Sequence, residues 1–151
     1  MSEIHTYIET LKKIGINGIQ IIQDGQEIGC FMKKEYKRQN QYSITKSFTS
    51  AAVGFAIEEG LFELNSKVCQ LFDEAIKIED PYWNMMEIRH LLTMTMGLET
   101  PILMGDSRKT LKESDWVSYV FRQKVTEKPG TVFQYNNAGP VSYTHLTLPT
   151  T

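Results

Sequence analysis

The sequence predicts an α+β fold with a helix first, a β-hairpin second and a mostly helical region after it. Apolar residues recur at helical spacing in residues 4–14 and again in residues 43–60. Between these two segments, Asp24 and Gly25 separate two isoleucine-rich runs, which is the strongest short-range signal for a two-residue hairpin turn. Further stretches with helical spacing follow after residue 80.

The N-terminal part of the chain accounts for the first helix and the hairpin. Gly15 and Gly18 follow the first apolar stretch and are expected to end its helix. We then predict strands at residues 18–23 and 26–33, because Asp and Gly tolerate the positive φ that a tight hairpin turn requires. Residues 34–42 are polar and connect the hairpin to the next helix.

Residues 43–60 predict one long helix that Gly60 ends in the left-handed conformation. The stripe that we expect to be buried consists of Ile44, Phe48, Ala51, Ala52, Phe55 and Ala56. Ser43 and Lys46 are three residues apart, so their side chains lie on one face of the first turn. A serine beside a lysine at the positive end of a helix is a candidate nucleophile with a base. A helix-capping serine and a solvent-facing lysine explain the same spacing.

The second half of the chain predicts two more helices and a loop between them. One helix lies within residues 84–97, where Asn84 and Glu87 fit a capping box. Its expected buried face consists of Ile88, Leu91, Leu92 and Thr95. Residues 99–110 are predicted to form a loop, and residues 114–124 another helix.

Composition and charge indicate which kinds of partner and which cellular compartment to expect. The formal net charge is −2 with 41% hydrophobic residues, which is ordinary for a globular protein and does not favour nucleic acid or an anionic membrane. No stretch is long enough to span a bilayer, and the N-terminus lacks the apolar segment of a signal peptide, so we expect a cytoplasmic protein. Cys30 and Cys69 are expected to be buried free thiols. The histidines lack ligand spacing, so we expect no metal and no cofactor.

Three short segments occur together in a recognisable order. They are the SxxK pattern of Ser43 and Lys46, IRHLLTMTMGL at residues 88–98, and PGTVFQYNNAG at residues 129–139, which contains a Y-x-N pattern at Tyr135 and Asn137. Together they resemble the serine β-lactamase and penicillin-binding-protein superfamily. The resemblance spans about residues 17–139 and is strongest to the branch of class C β-lactamases, D-alanyl-D-alanine carboxypeptidases and related esterases.

The resemblance implies a serine hydrolase that forms an acyl-enzyme on an ester, amide or β-lactam, with a small-molecule or peptide substrate. Ser43 would attack the carbonyl, Lys46 would take its proton, and Tyr135 would pass a proton to the leaving group. Asn137 would bind the substrate amide or the Lys46 side chain, and the Ser43 backbone N–H would be half of an oxyanion hole. Which residue is the base is disputed in this superfamily and stays open here. Without Ser43 and Lys46, an ordinary polar turn would explain Tyr135 and Asn137.

The sequence departs from the superfamily at its end. The third motif, Lys or His followed by Ser or Thr and Gly on a late strand, is absent. We therefore interpret residues 1–139 as the N-terminal part of a β-lactamase-like hydrolase domain. Residues 140–151 resemble translated adaptor sequence and are predicted to be a non-native tail. We expect the intact parent protein to be an esterase or peptidase, and we expect the chain as given to be inactive. The alternatives to a serine hydrolase are a non-catalytic fragment and a penicillin-binding sensor module. The oligomeric state is open.

Overall fold

A computed structural model of the protein describes residues 3–33, 40–72 and 79–140. The chain divides into two compact units, Met1–Tyr42 and Ser43–Thr151. Of the predicted non-native tail, only Pro140 lies within the described residues, and most of the predicted connection before Tyr42 lies outside them. None of the described helices is long and apolar enough to cross a membrane.

The first unit consists of one helix and one antiparallel hairpin. Helix α1 spans Glu3–Lys13, and strands β1 and β2 span Gly18–Gln23 and Gln26–Met32. Asp24 and Gly25 form the turn with φ angles of 52° and 77°. Positive φ at both central positions is the geometry that matches the twist of the flanking strands. The predicted hairpin is therefore confirmed, including its turn.

Helix α1 packs against strand β2 at a glycine. A Cβ atom at Gly29 would lie 2.8 Å from Ile4 Cγ2 and 2.9 Å from Ile8 Cδ1, so the helix approaches the strand closely here. Ile8 is buried by this contact. Because side chains alternate along a strand, the neighbouring Cys30 points to the other face, where it is exposed. The prediction that both cysteines are buried is wrong for Cys30.

The second unit is helical in its regular structure. Its helices are α2 (Thr45–Glu58), α3 (Pro81–Met85), α4 (Ile88–Leu92), α5 (Gly105–Thr110) and α6 (Trp116–Phe121). Short 3₁₀ turns precede α2 at Tyr42–Ile44 and lie at Val68–Gln70. The helices and the chain between them form an apolar cluster that includes Trp83, whose indole N–H donates to the Gln123 carbonyl at 3.0 Å. Val53 and Ala56 of α2 belong to this cluster.

Helix α2 buries only part of the predicted stripe. Val53 and Ala56 lie in the core, whereas Ile44, Phe48 and Phe55 are 55%, 73% and 65% exposed. The prediction of a buried stripe is therefore wrong for these three residues and for Ala51, which is exposed, whereas it is confirmed for Ala56. Small and apolar residues surround this helix, so its sequence pattern has no single apolar face to identify. Gly60 has a φ of 74° and ends the helix as predicted.

The predicted helix within residues 84–97 is two short helices. Met86 separates α3 from α4: its backbone is extended, its side chain is fully buried, and its carbonyl accepts the Val68 N–H at 3.0 Å. Glu87 is the N-cap residue of α4, whereas the predicted cap residue Asn84 lies inside α3. A tertiary contact of Met86 with a distant segment breaks the helical pattern.

The two later predictions need smaller corrections. Helix α5 lies within residues 99–110, which were predicted to be a loop. It is polar and exposed, with Lys109 and Asp106 paired at 2.8 Å, so no apolar periodicity marks it. Helix α6 is shorter than predicted and begins after Asp115, whose carboxylate accepts the Ser118 N–H at 3.0 Å.

His90 makes the start of α4 sensitive to pH. Its Nδ1 accepts the Glu87 backbone N–H at 3.1 Å. Burial lowers the pKa of His90 below its ordinary value of 6.5, and it outweighs the nearby Glu87 carboxylate, which acts in the opposite direction; Arg89 and Lys67 lower the pKa further. The folded protein therefore favours the neutral imidazole, and a protonated Nδ1 could not accept this hydrogen bond.

We expect the contribution of His90 to stability to be complete above pH 6.5 and to be lost as the pH falls from there through the folded-state pKa. The measurement is urea unfolding at about pH 7.5 and about pH 5.5, a range that spans histidine titration. In the wild type the free energy of unfolding should be lower at the acid pH. His90→Gln should reduce this difference, whereas His5→Gln should retain it. An equal pH dependence in the wild type and His90→Gln would contradict the assignment.

Candidate active site

Ser43 and Lys46 meet at the start of α2. Ser43 is the central residue of the 3₁₀ turn Tyr42–Ile44, and Lys46 lies in the first turn of the α-helix that continues from it. The Lys46 ammonium donates to Ser43 Oγ at 3.1 Å. The predicted contact across three residues is therefore present, although Ser43 lies in the 3₁₀ turn rather than in the α-helix. Ser43 is exposed, so a substrate can reach its hydroxyl.

Tyr135 comes to the same serine from the other end of the unit. Its phenol oxygen lies 2.5 Å from Ser43 Oγ, and either oxygen can be the donor. The Lys46 Nζ is also 5.2 Å from the centroid of the Tyr135 ring, within the range of a cation–π interaction. The Ser43 hydroxyl thus contacts a phenol and an ammonium at once. Three of the four residues that the sequence nominated are brought together.

The electrostatics of the site favour the ionised form of Tyr135. The hydrogen bond with Ser43 is the largest cause that lowers the pKa of Tyr135 below 10.0, followed by the hydrogen-bonding interaction with Lys46. The positive charge of Lys46 acts in the same direction, whereas burial opposes it. Tyr135 is 40% exposed, so water moderates these effects. A lowered pKa increases the fraction of Tyr135 present as phenolate, and the phenolate is the form that can accept a proton.

Backbone hydrogen bonds hold the segment that carries Tyr135. The Gln134 N–H donates to the Met94 carbonyl at 2.9 Å, and the Gly130 N–H donates to the Thr95 carbonyl at 2.8 Å. These bonds join the two segments that carry the superfamily resemblance after residue 80. Gln134 is directly before Tyr135, so the Met94 carbonyl fixes the backbone beside the phenol.

Gly97 allows the segment of residues 88–98 to approach the chain at Thr126 and Glu127, shortly before the segment that carries Tyr135. It has a φ of 75°, and its carbonyl accepts the N–H groups of Thr126 and Glu127 at 2.9 and 3.1 Å. A Cβ atom at this position would overlap the Glu127 carbonyl oxygen and lie 2.9 Å from the Glu127 carbonyl carbon. Only glycine combines this conformation with this contact.

Asn137, the fourth nominated residue, has its side-chain amide engaged with a loop. Its Nδ2 donates to the Leu103 carbonyl at 2.6 Å, and its backbone N–H donates to the Ile102 carbonyl at 3.4 Å. Leu103 has a φ of 57°, which a non-glycine residue adopts rarely. Asn137 therefore ties this loop to the segment of Tyr135, and its assignment to substrate binding stays a prediction.

Asn136 is a residue of the site that the sequence reasoning did not single out. It is 1% exposed, and both ends of its amide bond to backbone atoms nearby. The Y-x-N pattern specifies only its first and third positions, and Asn136 occupies the unspecified middle one. The pair Asn136-Asn137, followed closely by Gly139, is a turn signal that the sequence itself carries.

The described residues offer no obvious metal site. Within residues 3–33, 40–72 and 79–140, no group of three or more His, Cys, Asp or Glu side chains could hold a metal ion.

Comparison with protein families identifies the class. The family model described as Beta-lactamase matches residues 35–141, which is more than half of the chain, so the chain belongs to the beta-lactamase family. The match includes all three clustered side chains. It confirms the resemblance inferred from the sequence motifs.

A solved structure supports the fold. A protein from Bacillus anthracis described as a 6-aminohexanoate-dimer hydrolase superposes with a TM-score of 0.69 at 17% sequence identity. The alignment covers 92% of this chain and 41% of that one, so this chain spans about two fifths of the neighbour's length. The α+β, β-lactamase-like architecture is thus confirmed. A comparison with curated proteins found no match.

Proposed function

We propose that this chain carries the nucleophile and proton-transfer groups of a serine hydrolase that forms an acyl-enzyme on an ester, amide or β-lactam. The observation that supports it is the pair of contacts at one oxygen: Ser43 Oγ lies 2.5 Å from the Tyr135 phenol and 3.1 Å from the Lys46 ammonium. A serine hydroxyl becomes a useful nucleophile when a neighbouring group removes its proton.

In the first half of the reaction, Tyr135 accepts the proton of Ser43 as Oγ attacks the substrate carbonyl carbon. The lowered pKa of Tyr135 supports this assignment of the base. Lys46 Nζ lies 3.1 Å from the same oxygen, where its ammonium form donates a hydrogen bond to Oγ. Its charge therefore stabilises the phenolate and the developing negative charge on Oγ.

In the second half, Tyr135 returns the proton to the leaving group. The tetrahedral intermediate collapses, the bond from the carbonyl carbon to the leaving oxygen or nitrogen breaks, and the Ser43 ester remains. Water then attacks this ester, with Tyr135 taking a proton from the water and passing it to Ser43 Oγ as the acid departs. One bond is hydrolysed and the three side chains return to their starting state.

We expect exposure of the chain to a penicillin or an activated ester to add one acyl group to Ser43. Intact mass spectrometry should show a single adduct that is absent in Ser43→Ala. Lys46→Ala should slow its formation by about 10²-fold or more, because the phenolate and Oγ lose their neighbouring cation.

Ser47→Ala is the matched control, since Ser47 is an exposed serine on the same helix. It should label like the wild type. An adduct that persists in Ser43→Ala, or a folded chain that forms no adduct with either reagent, would contradict the proposal. Accumulation of the adduct without release of product would instead indicate acylation with slow turnover, as in a penicillin-binding sensor.

A further inference from the structure

We propose that Asn136 is a positioning residue for Tyr135: its buried amide joins the backbone on both sides of the tyrosine and so sets the phenol against Ser43 Oγ. The catalytic part of this inference rests on the proposed function. The positional part rests on geometry alone.

The side chain of Asn136 spans its neighbour in sequence. Its Nδ2 donates to the carbonyl of Gln134, the residue before Tyr135, at 2.8 Å. Its Oδ1 accepts the Ala138 N–H at 2.9 Å and the Gly139 N–H at 3.4 Å. One planar group thus fixes the chain before and after the position that carries the phenol.

Further contacts hold both ends of the segment that the Asn136 amide joins. Gln134 is itself anchored to the Met94 carbonyl through its N–H. Gly139 is packed so closely that a Cβ atom there would lie 2.6 Å from the Leu91 carbonyl oxygen. Asn136 therefore connects two points that the rest of the unit already holds. The tyrosine between them cannot shift without breaking one of these contacts.

Among side chains of this size, only the asparagine amide offers a donor to the Gln134 carbonyl at one end and an acceptor to the Ala138 N–H at the other. Aspartate retains the oxygen that accepts from Ala138 but places a second acceptor against the Gln134 carbonyl. Alanine leaves the Gln134 carbonyl and the N–H groups of Ala138 and Gly139 without the side-chain amide as a hydrogen-bond partner. A displacement of about 1 Å in a reacting group can cost about 10²-fold in rate, so small shifts of Tyr135 matter.

The experiment uses the full chain and two independent readouts. The first is the phenol pKa of Tyr135, measured by NMR with ¹³C-labelled tyrosine and assigned through Tyr135→Phe. The second is the pH dependence of adduct formation at Ser43. Asn136→Asp and Asn136→Ala are the test variants, and Asn84→Asp is the control because Asn84 is an exposed asparagine on α3.

We expect both test variants to raise the Tyr135 pKa toward its ordinary value and to slow acylation at neutral pH by about 10-fold to 10²-fold. The loss in the double variant Asn136→Asp with Tyr135→Phe should not exceed that of Tyr135→Phe alone, since Asn136 acts through the tyrosine. Asn84→Asp should change neither readout.

A folded Asn136→Asp or Asn136→Ala whose Tyr135 pKa matches the wild type would overturn the inference. So would additive losses in the double variant, or unfolding of both single variants, which would make Asn136 a residue of the fold only. If the wild type forms no adduct, the proposed function fails, while the Tyr135 pKa still decides whether Asn136 positions the phenol.

Discussion

Tyr135→Phe is expected to slow acylation of Ser43 by about 10²–10⁴-fold, the range that a positioned acid–base group contributes, with little change in the fold. Phenylalanine retains the ring near Lys46 but removes the oxygen that lies 2.5 Å from Ser43 Oγ. In the wild type the rate should rise with pH through the lowered Tyr135 pKa, because the phenolate is the active form. In Tyr135→Phe this rise should disappear. The measurement is the rate constant for adduct formation against pH.

Tyr119→Phe is the matched control for this variant. Tyr119 packs at the edge of the apolar cluster and lies outside the site, so its substitution should leave the rate and its pH dependence unchanged. If Tyr135→Phe acylates as fast as the wild type, Tyr135 is not the base, and Lys46 becomes the remaining candidate at Ser43.

Gly97→Ala is expected to lower the free energy of unfolding by more than about 2 kcal/mol. A φ of 75° alone costs an alanine roughly 1–2 kcal/mol, and the added methyl group also overlaps the Glu127 carbonyl oxygen. Backbone atoms cannot rotate away as a flexible side chain can. The segments that meet at Gly97 must therefore separate, and we expect the contact between Tyr135 and Ser43 to weaken with them. Chemical denaturation measures the first effect, and the Tyr135 pKa the second.

Gly54→Ala is the natural comparison, because it introduces the same methyl group where space is open. Gly54 lies inside α2, and a Cβ atom there meets nothing within 4 Å. Alanine should raise the free energy of unfolding by about 0.5–1 kcal/mol, since it loses less conformational freedom in a helix. If Gly97→Ala left the free energy of unfolding unchanged, or raised it as Gly54→Ala should, the close approach of Gly97 to Glu127 would be contradicted.

Elements that depend on local residue preferences were predictable from the sequence, whereas those that depend on tertiary contacts were not. The hairpin was predictable because Asp and Gly, the residue types at positions 24 and 25, tolerate the positive φ angles that the turn requires. The break between α3 and α4 was not, since Met86 is extended through its bond with Val68, far away in sequence. The exposed face of α2 was missed for a related reason. Phe48 and Phe55 are apolar, but residue type does not say which side of a helix meets the core.

The candidate site follows the same division. Spacing placed Ser43 beside Lys46, and the motif resemblance nominated Tyr135, whose contact with Ser43 the structure shows. Spacing alone could not bring in Tyr135, because the tyrosine is 92 residues from the serine. The role of Asn136 depends on where backbone N–H and carbonyl groups point, which composition and periodicity do not encode.

That separation of 92 residues also makes Tyr135 a reporter of tertiary order. A partly folded state can keep its helices while its side-chain packing fluctuates, and far-ultraviolet circular dichroism does not distinguish it from the native state. The pKa of the Tyr135 phenol, by contrast, should be lowered only when Ser43 and Lys46 are in place beside it. During refolding, the return of tyrosinate absorbance at a moderately alkaline pH should therefore lag behind the helical signal. The interval between the two signals would measure how long the chain takes to close its longest functional contact after its local structure has formed.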